Sequence, residues 1–386
     1  MSRFYSWLNA SQEFVSIYKG EEPFASFIKK QFAKHKKYGS TDRKNISQLC
    51  YGFFRLGKAF EEQPVIDRIL LGVFLSSRNS NDVLQQIKPL WNENITLNTL
   101  EKFSFLQAKE ELSKVFPLHD KLSSKIDREV FQISMFHQPL LFIRVRPGKI
   151  DVVEQKLKAA AIQYDRVNDN CLAIANSSKV DAAIQLNRDA VIQDLNSQKV
   201  LDILPGYIQS DRPFAAWDCC AASGGKSILL KDMYPQVELT VSDIRETILR
   251  NLHQRFSQAG IKDYHSFVAD LTQPTFILNK AFDLVICDAP CTGSGTWSRT
   301  PEQLAFFKEK TIDHYNKLQK SIAINASKSV RKGGYFLYIT CSVFENENED
   351  IVQFLQSHSS LKLLCQQYFI GCDKSADTLF AALFTL

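Results

Sequence analysis

Apolar residues recur every three or four positions through the first third of the chain, in segments such as SQLCYGFFRL and VIDRILLGVFL. This spacing places apolar side chains on one face of an α-helix, and few strand-like alternations interrupt it. The pattern predicts a helical domain over residues 1–125.

The pattern changes near residue 130. Short apolar alternations in LLFIRVRPG, CLAIAN and AVIQDL are separated by the helical VVEQKLKAAA and KVDAAIQL. This order predicts a small α+β domain over residues 126–200. Over residues 201–386, strand patterns such as VELTVSD, FDLVICD and GGYFLYIT alternate with helical ones. That alternation predicts an α/β fold whose mainly parallel sheet has helices on both faces.

Composition narrows the class of protein. Of 386 residues, 45% are hydrophobic, and no apolar run approaches the roughly 20 residues that span a membrane. The first residues, MSRFYSWLNASQEF, lack the apolar core of a signal peptide, so we expect a soluble, cytoplasmic monomer. The nine cysteines are then expected as free thiols, and without C-x-x-C spacing we predict no metal site.

Positive charge is concentrated at the beginning of the chain. Residues 1–60 carry 11 lysines and arginines against 4 acidic residues, whereas the remaining residues have a net charge of −2. The run KKQFAKHKK at 29–37, with aromatic residues interleaved, fits a binding surface for a polyanion. A solvated helix face explains that run equally well.

Acidic residues end successive predicted strands. Asp218, Asp243, Asp270 and Asp288 each follow an apolar run, and Cys341 ends a fifth one. A single such aspartate is usually a turn former or a helix cap, but four in succession favour a ligand site at the carboxyl ends of the strands. Asp243 lies where an acid reaches a ribose hydroxyl, and we expect Asp270 to meet an adenine amino group.

The segment DCCAASGGKS at 218–227 follows the first of these strands. It is not a nucleotide P-loop, because Cys220 stands where that motif requires glycine. Its glycine pair instead lets the backbone approach a nucleoside, while the helix N-terminus and Lys226 face a carboxylate. S-adenosylmethionine meets both demands. The predicted cofactor residues are Cys220, Ala221, Ala222, Ser223, Gly224, Gly225, Lys226, Asp243, Asp270 and Asp288.

Two cysteines lie just beyond apolar strands, in VICDAPCTGSGTWSRTPE and YITCSVFENENED. Their neighbouring Asp, Pro and Gly residues place Cys291 and Cys341 in loops that open onto the same crevice. We expect the other cysteines outside the cofactor turn to pack in the interior, as cysteine usually does. These are Cys50, Cys171, Cys219, Cys287, Cys365 and Cys372.

The motifs DCCAASGGKS, VSD, VAD, DAPCTGSGTWSRTPE and TCSVFENE resemble, in order and spacing, those of the NOL/NOP/Sun (RsmB/Fmu-like) family of RNA cytosine-5 methyltransferases. The resemblance extends to VIQDLNSQ, to DTLFAALF and, more loosely, to TDRKNISQLCYGFFR. Two departures are Ser223, where the family usually has proline, and Thr292, where serine is common. The resemblance implies a Rossmann-like methyltransferase domain preceded by a NusB-like helical domain and a small RRM-like domain.

The resemblance also implies roles for two cysteines, and chemistry suggests roles for two neighbouring residues. The cysteine of TCS, Cys341, would attack carbon 6 of cytosine, and that of DAPC, Cys291, would assist release of the methylated base. DNA cytosine-5 enzymes use the cysteine of a Pro-Cys motif as nucleophile, which would point to Cys291, but the TCSVFENE context favours Cys341. Asp288 would hydrogen-bond the cytosine, and Lys226 would position either that acid or the cofactor carboxylate, the latter being favoured.

The predicted function is therefore S-adenosylmethionine-dependent methylation of carbon 5 of a cytosine in RNA, most readily 16S ribosomal RNA. Both smaller domains are expected to hold RNA through its phosphates. The alternatives are a tRNA cytosine-5 methyltransferase and a non-catalytic RNA-binding ribosome-assembly factor. The intact cysteines and acids argue against the latter.

Overall fold

The structure is a computed structural model that describes residues 3–209 and 212–386. The chain divides into two compact units. The first, the helical unit, comprises Met1–Leu122, Ile126–Gln138 and Thr296–Glu309, and the second comprises Ser123–Lys125, Pro139–Gly295 and Lys310–Leu386. In the described residues, no helix is both long enough and apolar enough to cross a membrane.

The helical unit buries an aromatic-rich core. Phe14, Phe24, Phe54 and Phe74 are almost completely inaccessible, which explains the three- and four-residue spacing of apolar positions in the sequence. The helices before residue 138 are α1 Arg3–Ile17, α2 Phe24–Lys34, α3 Ser40–Arg55, α4 Val65–Ser76, α5 Asp82–Ile87, α6 Pro89–Glu93, α7 Thr99–Phe105, α8 Leu112–Val115 and α9 Arg128–Ser134.

Residues 296–309 complete this core from a distant part of the sequence. Glu302 is buried and accepts a hydrogen bond from the backbone N–H of Phe24 at 3.0 Å. The ring of Phe306 packs edge-on against Tyr18, with centroids 5.1 Å apart. The segment is therefore an integral part of the helical unit.

The second unit contains a small four-stranded antiparallel sheet with strand order β2-β3-β1-β4. This is the β-α-β-β-α-β arrangement of ferredoxin-like folds. The elements are β1 Leu141–Val145, α10 Ile150–Ala159, β2 Tyr164–Asn168, β3 Cys171–Ile174, α11 Val180–Ala183, β4 Ala190–Ile192 and the following α12 Leu195–Lys199.

Both faces of this small sheet are covered. Ile143 and Leu172 pack into one apolar cluster with the helices of the small domain, whereas Phe142 and Ala173 pack with Ala376 on the other face. An RRM binds bases by stacking them on an open sheet face. The predicted contacts of this domain with RNA would therefore have to come from its loops or helices.

The larger sheet of the second unit has seven strands in the order β10-β11-β9-β8-β5-β6-β7. Strands β9, β8, β5, β6 and β7 are parallel, and β11 is antiparallel to both β9 and β10. The remaining elements are β5 Ala215–Asp218, α13 Gly225–Met233, β6 Glu238–Asp243, α14 Glu246–Ala259, β7 Tyr264–Val268, β8 Phe282–Asp288, α15 Glu302–Phe306, α16 Lys310–Ser327, β9 Val330–Thr340, α17 Glu349–His358, β10 Lys362–Phe369 and β11 Leu379–Thr385.

The predicted α/β class and Rossmann-like sheet are thus confirmed. In the sheet, β5 has β6 on one side and β8 on the other. The chain therefore builds the sheet outward from β5 through β6 and β7 and then returns to the opposite side with β8, so the strand order reverses between β5 and β8. Ligands of such sheets bind in the crevice beyond the carboxyl ends at this point. The division into domains 1–125, 126–200 and 201–386 stays a prediction, since the two compact units group α9 and residues 296–309 with the earlier helices.

Candidate active site

The turn between β5 and α13 is shaped by Gly224. This residue has φ +81°, and an added Cβ would lie 2.6 Å from Cε1 of Phe256 and 3.1 Å from Cγ of Leu252. Glycine is therefore required both by the left-handed backbone and by packing. A Cβ on Gly225, the first residue of α13, would meet no protein atom within 4 Å. Protein packing does not explain the second glycine, whereas close approach of a ligand does.

Ser223, which departs from the family pattern, has its own partner. The Arg255 guanidinium donates to both the carbonyl oxygen and Oγ of Ser223, at 2.8 and 2.7 Å, and also donates to Oδ1 of Asn187. These bonds tie the turn to helix α14 and to the loop before β4. The serine therefore replaces the stiffness of a proline ring with hydrogen bonds.

A cavity of about 450 Å³ lies beyond the carboxyl ends of β5, β6, β7 and β8. It is within the size range of small-ligand sites. Apolar side chains from Ile244, Leu271, Leu318 and Ile322 line it together with Pro290. The predicted residues that line it are Cys220, Ala222, Asp243, Asp270 and Asp288.

The acids at the ends of β6 and β7 hold the loops around the cavity. Asp243 accepts bonds from the backbone N–H groups of Ala222 and Arg245, at 3.0 and 2.9 Å. Asp270 accepts from the side chains of Gln273 and Thr272 and from the Thr272 N–H, and these bonds lower its pKa. The lowered pKa keeps Asp270 ionised at neutral pH, and both side chains offer oxygen acceptors to hydroxyl or amino donors of a ligand.

Asp218 has a structural position beneath the turn. It is 1% exposed, accepts a hydrogen bond from Ser227 Oγ at 2.6 Å, and its Oδ1 is buried without a partner in the described structure. Burial raises the pKa of Asp218 to about 7, against the opposing effect of Ser227. The Asp218 carboxyl group therefore titrates near neutral pH.

Lys226 and Asp288 form an ion pair beside the cavity. The Lys226 Nζ lies 2.6 Å from Oδ2 of Asp288, and their side chains are 13% and 29% exposed. Burial acts to lower the pKa of Lys226, but the charge and hydrogen bond of Asp288, with a contribution from Cys341, outweigh it and raise that pKa. The sequence analysis favoured a cofactor role for Lys226, but this contact supports its alternative, positioning of Asp288.

Cys291 and Cys341 face each other across the loops after β8 and β9, with their sulfur atoms 3.3 Å apart. The hydrogen bond with Cys341, burial, and the electrostatic effects of Cys341 and Glu347 raise the pKa of Cys291 well above its usual value. Cys291 is therefore a neutral thiol at physiological pH, able to donate its proton toward the sulfur of Cys341.

Glu347 joins the two cysteine loops, and the sequence analysis did not single it out. It is completely buried and accepts hydrogen bonds from both the N–H and Oγ1 of Thr292, next to Cys291. It also accepts from Oγ of Ser342, next to Cys341, and from Nε2 of Gln319 at 2.9 Å. Its only signal in the sequence was its place in the quoted motif TCSVFENE.

Gly295 fixes the approach of the same loops. Its N–H donates to the Cys341 carbonyl at 2.9 Å, and an added Cβ would lie 2.1 Å from the carbonyl oxygen of Thr378. Any other residue would push these backbones apart. Gly295, the second glycine in DAPCTGSG, is therefore explained by backbone contact rather than by flexibility.

Three further thiols cluster under the cavity. The sulfur atoms of Cys219, Cys220 and Cys287 all lie within 4.8 Å of one another, the only such group able to hold a metal among the described residues. Cys219 and Cys287 are buried, as predicted for packing cysteines, whereas the same prediction is wrong for Cys365 and Cys372, which are only half-buried. The prediction that the chain holds no metal stays a prediction.

The cavity fits S-adenosylmethionine in its chemistry. Apolar side chains suit the faces of an adenine ring, and Asp243 and Asp270 supply acceptors for ribose and amino donors. The other predicted cofactor residues are not part of the lining, although Gly225 has open space where a Cβ would lie; they are Ala221, Ser223, Gly224, Gly225 and Lys226. Helix α16 also contributes His314 and Tyr315 to the lining, which the sequence analysis did not foresee because that helix carries no recognisable motif.

Comparisons with known proteins agree with this geometry. The family model described as 16S rRNA methyltransferase RsmB/F matches residues 177–378. Ribosomal RNA small subunit methyltransferase B of Shewanella oneidensis is 28% identical over 216 residues, which cover 50% of this chain and 50% of that protein. The chain thus spans about half the length of the curated relatives it matches.

Solved structures share the fold. PH0851 superposes with a TM-score of 0.73 at 20% identity, covering the whole of both chains. NSun6 from Pyrococcus horikoshii, crystallised with SFG, gives a TM-score of 0.58 at 17% identity and covers 70% of this chain and 96% of its own. At these identities the similarity establishes the fold alone.

Proposed function

Because this chain belongs to the RsmB/F methyltransferases of the NOL/NOP/Sun family, we propose that it methylates carbon 5 of a cytosine in RNA, with S-adenosylmethionine as methyl donor. The observation that carries the proposal is the pair of facing thiols in the loops after β8 and β9, together with an acid-lined cavity to which the loop after β8 contributes Pro290. Small-subunit ribosomal RNA is the proposed substrate, because the relatives are named for it.

The proposed cofactor site is the cavity lined by Cys220, Ala222, Asp243 and Asp270. The family relation of this turn and the SFG, an S-adenosylmethionine analogue, in the NSun6 crystals support this assignment. Asp243 and Asp270 would bind the ribose and the adenine amino group, and Gly225 would leave room for the ligand. When bound, S-adenosylmethionine supplies an electrophilic methyl group.

Cys341 is the proposed nucleophile. After its thiol proton has passed to solvent, the sulfur of Cys341 would donate an electron pair to carbon 6 of cytosine, forming a sulfur–carbon bond and moving the π electrons of the ring toward carbon 5. Carbon 5 then becomes nucleophilic. The position of Cys341 in TCSVFENE supports this choice, because the family resemblance gives the attacking sulfur to the cysteine of TCS.

Asp288 and Cys291 have separate proposed roles. Asp288, held by Lys226, would accept a hydrogen bond from the exocyclic amino group of the cytosine and so orient the base. After methylation the carbon 5 proton passes to solvent, the carbon 6–sulfur bond breaks and its electron pair returns to Cys341. The thiol of Cys291, 3.3 Å away, would hydrogen-bond the departing sulfur.

The test is incubation of the purified full-length protein with methyl-labelled S-adenosylmethionine and unmodified small-subunit ribosomal RNA, with tRNA as a second substrate. Wild type should form 5-methylcytosine, Cys341→Ala should form none, and Cys291→Ala should accumulate a covalent protein–RNA adduct. Cys365→Ala, a thiol outside the site, is the matched control and should behave as wild type. Methylation that survives in Cys341→Ala would refute the assignment of the nucleophile.

A further inference from the structure

The helical unit contains a pocket of about 570 Å³, which we call the helical-unit pocket. It lies between one face of α3, along the whole length of that helix, and residues 76–82, and Phe136 and Gln138 close one side of it. Its described lining includes three cationic side chains, Lys44, Arg55 and Arg78, against one carboxylate, that of Asp82. The pocket therefore combines a polar lining with an excess of positive charge.

Arg55 supplies a buried charge that only neutral groups hydrogen-bond. It is 4% exposed, and its guanidinium donates to the backbone carbonyls of Met135, His137 and Ser298 and to the side-chain carbonyl of Gln138. None of these acceptors carries a negative charge. The field of the guanidinium therefore extends into the pocket, because a buried cation is poorly screened by solvent.

Two neighbouring groups offset the burial of Arg55 only in part. Burial lowers the pKa of Arg55 to about 10, against the smaller opposing effects of Tyr51 and then of Glu302. Burial also raises the pKa of Glu302 itself, whose Oε1 is taken by the Phe24 N–H. Arg55 remains charged at neutral pH.

Two more groups behind the pocket, Lys102 and His137, also have lowered pKa values. Lys102 is 1% exposed and donates to the carbonyl of Ser77, a lining residue, and burial together with the charge of Arg78 lowers its pKa to about 8. Burial and the charges of Arg78, Arg55 and Lys102 lower the pKa of His137 to about 4. At neutral pH, His137 is uncharged and Lys102 is mostly protonated.

We propose that the helical-unit pocket binds a phosphodiester group of the RNA substrate, with an unstacked nucleotide beside it. The proposal rests on the proposed function in one respect, that RNA is the substrate. Lys44 and Arg78 are exposed and would contact the phosphate directly, while Arg55 and Lys102 supply the fixed positive field behind it. The volume is sufficient for a nucleotide, and Asn45, Gln48 and Asn79 offer amide groups to its ribose and base.

This site differs from the basic run at 29–37, which the sequence analysis considered as a polyanion surface. The pocket lining draws on other residues and has cations on more than one element of the helical unit. The two surfaces make opposite predictions about which lysines matter, so they can be separated by matched substitutions.

The experiment measures binding of a fluorescein-labelled, unmodified small-subunit ribosomal RNA transcript to the full-length protein over a range of KCl concentrations. Lys44→Gln/Arg78→Gln removes two exposed charges from the pocket, and Lys29→Gln/Lys36→Gln removes two exposed charges from the basic run. The pocket variant should bind about tenfold more weakly, and its salt slope should fall by about 0.7 for each single-strand phosphate that the variant no longer neutralises. The control variant should match wild type, and both should bind S-adenosylmethionine as wild type does.

Each outcome is decisive for the pocket. Unchanged affinity and salt slope in the pocket variant, equal losses in both variants, or a wild type that does not bind the transcript would each overturn the proposal. Failure of the proposed function has a different signature. In that case the transcript binds with a pocket-specific decrease in affinity, but no 5-methylcytosine forms.

Discussion

The sulfur atoms of Cys291 and Cys341 lie 3.3 Å apart although 50 positions separate the two residues. The cause is the pairing of the parallel strands β8 and β9, each of which is followed by one of the cysteines. Fold topology rather than local sequence thus brings together a neutral thiol and the proposed nucleophile.

Mild oxidation should inactivate the enzyme reversibly through this pair. Hydrogen peroxide takes two electrons and two protons from the two thiols, leaving a disulfide and two water molecules. We expect methyl transfer to be lost and dithiothreitol to restore it, with peptide mapping showing a link between Cys291 and Cys341. Cys291→Ser should form no such link. A loss of activity that maps to the thiols at 219, 220 and 287 would contradict the prediction.

Glu347→Gln should damage both folding and catalysis. The buried carboxylate accepts four hydrogen bonds, and an amide would turn its NH₂ group toward N–H and O–H groups that now donate to the carboxylate. We expect a loss of about 2–3 kcal/mol in the free energy of unfolding in urea. The single-turnover rate should fall as the cysteine loops separate. Glu345→Gln, an exposed residue of the same loop, is the control; equal effects of the two changes would refute the role of Glu347.

The two glycines of the cofactor turn should fail in different ways. Gly224→Ala forces a Cβ into Phe256 at a left-handed position and should cost about 1–3 kcal/mol of stability. Gly225→Ala occupies open space at the start of a helix and should be neutral or stabilising by about 0.4–1 kcal/mol. It should nevertheless weaken S-adenosylmethionine binding about tenfold, or 1.4 kcal/mol. Thermal unfolding and calorimetric titration separate the two effects, and unaltered cofactor binding by Gly225→Ala would count against ligand approach at this residue.

Asp218 should make the protein less stable as pH rises. Its folded-state pKa, about 7, lies above the unfolded value near 3.9, so the folded state binds more protons between these values. The stability contribution of this group is complete below the unfolded pKa and declines until pH passes the folded one. Asp218→Asn should remove part of the decline, at about 1.4 kcal/mol per pKa unit. Urea unfolding at pH 5 and pH 8 measures it, with exposed Asp263→Asn as control; an identical decline in wild type and Asp218→Asn would exclude this group as its cause.

The strands that surround the site could be predicted from the sequence, whereas two edge strands could not. Strands β5, β6 and β8 are short apolar runs that end in aspartate, and their buried side chains explain that pattern. The β2 strand, Tyr164–Asn168, is mostly exposed and polar, and β10, Lys362–Phe369, alternates between exposed and half-buried positions. Edge strands bury little, so their composition resembles that of loops.

The candidate site likewise has features that the sequence reveals and features that it does not. Its acids, glycines and cysteines belong to contiguous motifs, and the sequence alone could identify them. The role of Glu347 depends on Thr292, 55 positions away, and on Gln319, 28 positions away. The Arg255 contact that supports Ser223 likewise spans 32 positions. Such partners are chosen by the fold, and no local pattern records them.

The position of residues 296–309 within the helical unit has a consequence for protein synthesis. The ribosome makes helices α1–α9 early. The residues at 296–309 that hydrogen-bond Phe24 and Arg55, and the one whose ring packs against Tyr18, are made only after most of the chain. Until then the nascent helices expose apolar surface that residues 296–309 later cover. Folding of the amino-terminal part therefore waits for translation of the proposed catalytic region, and a chain truncated before residue 296 would be prone to aggregation and degradation.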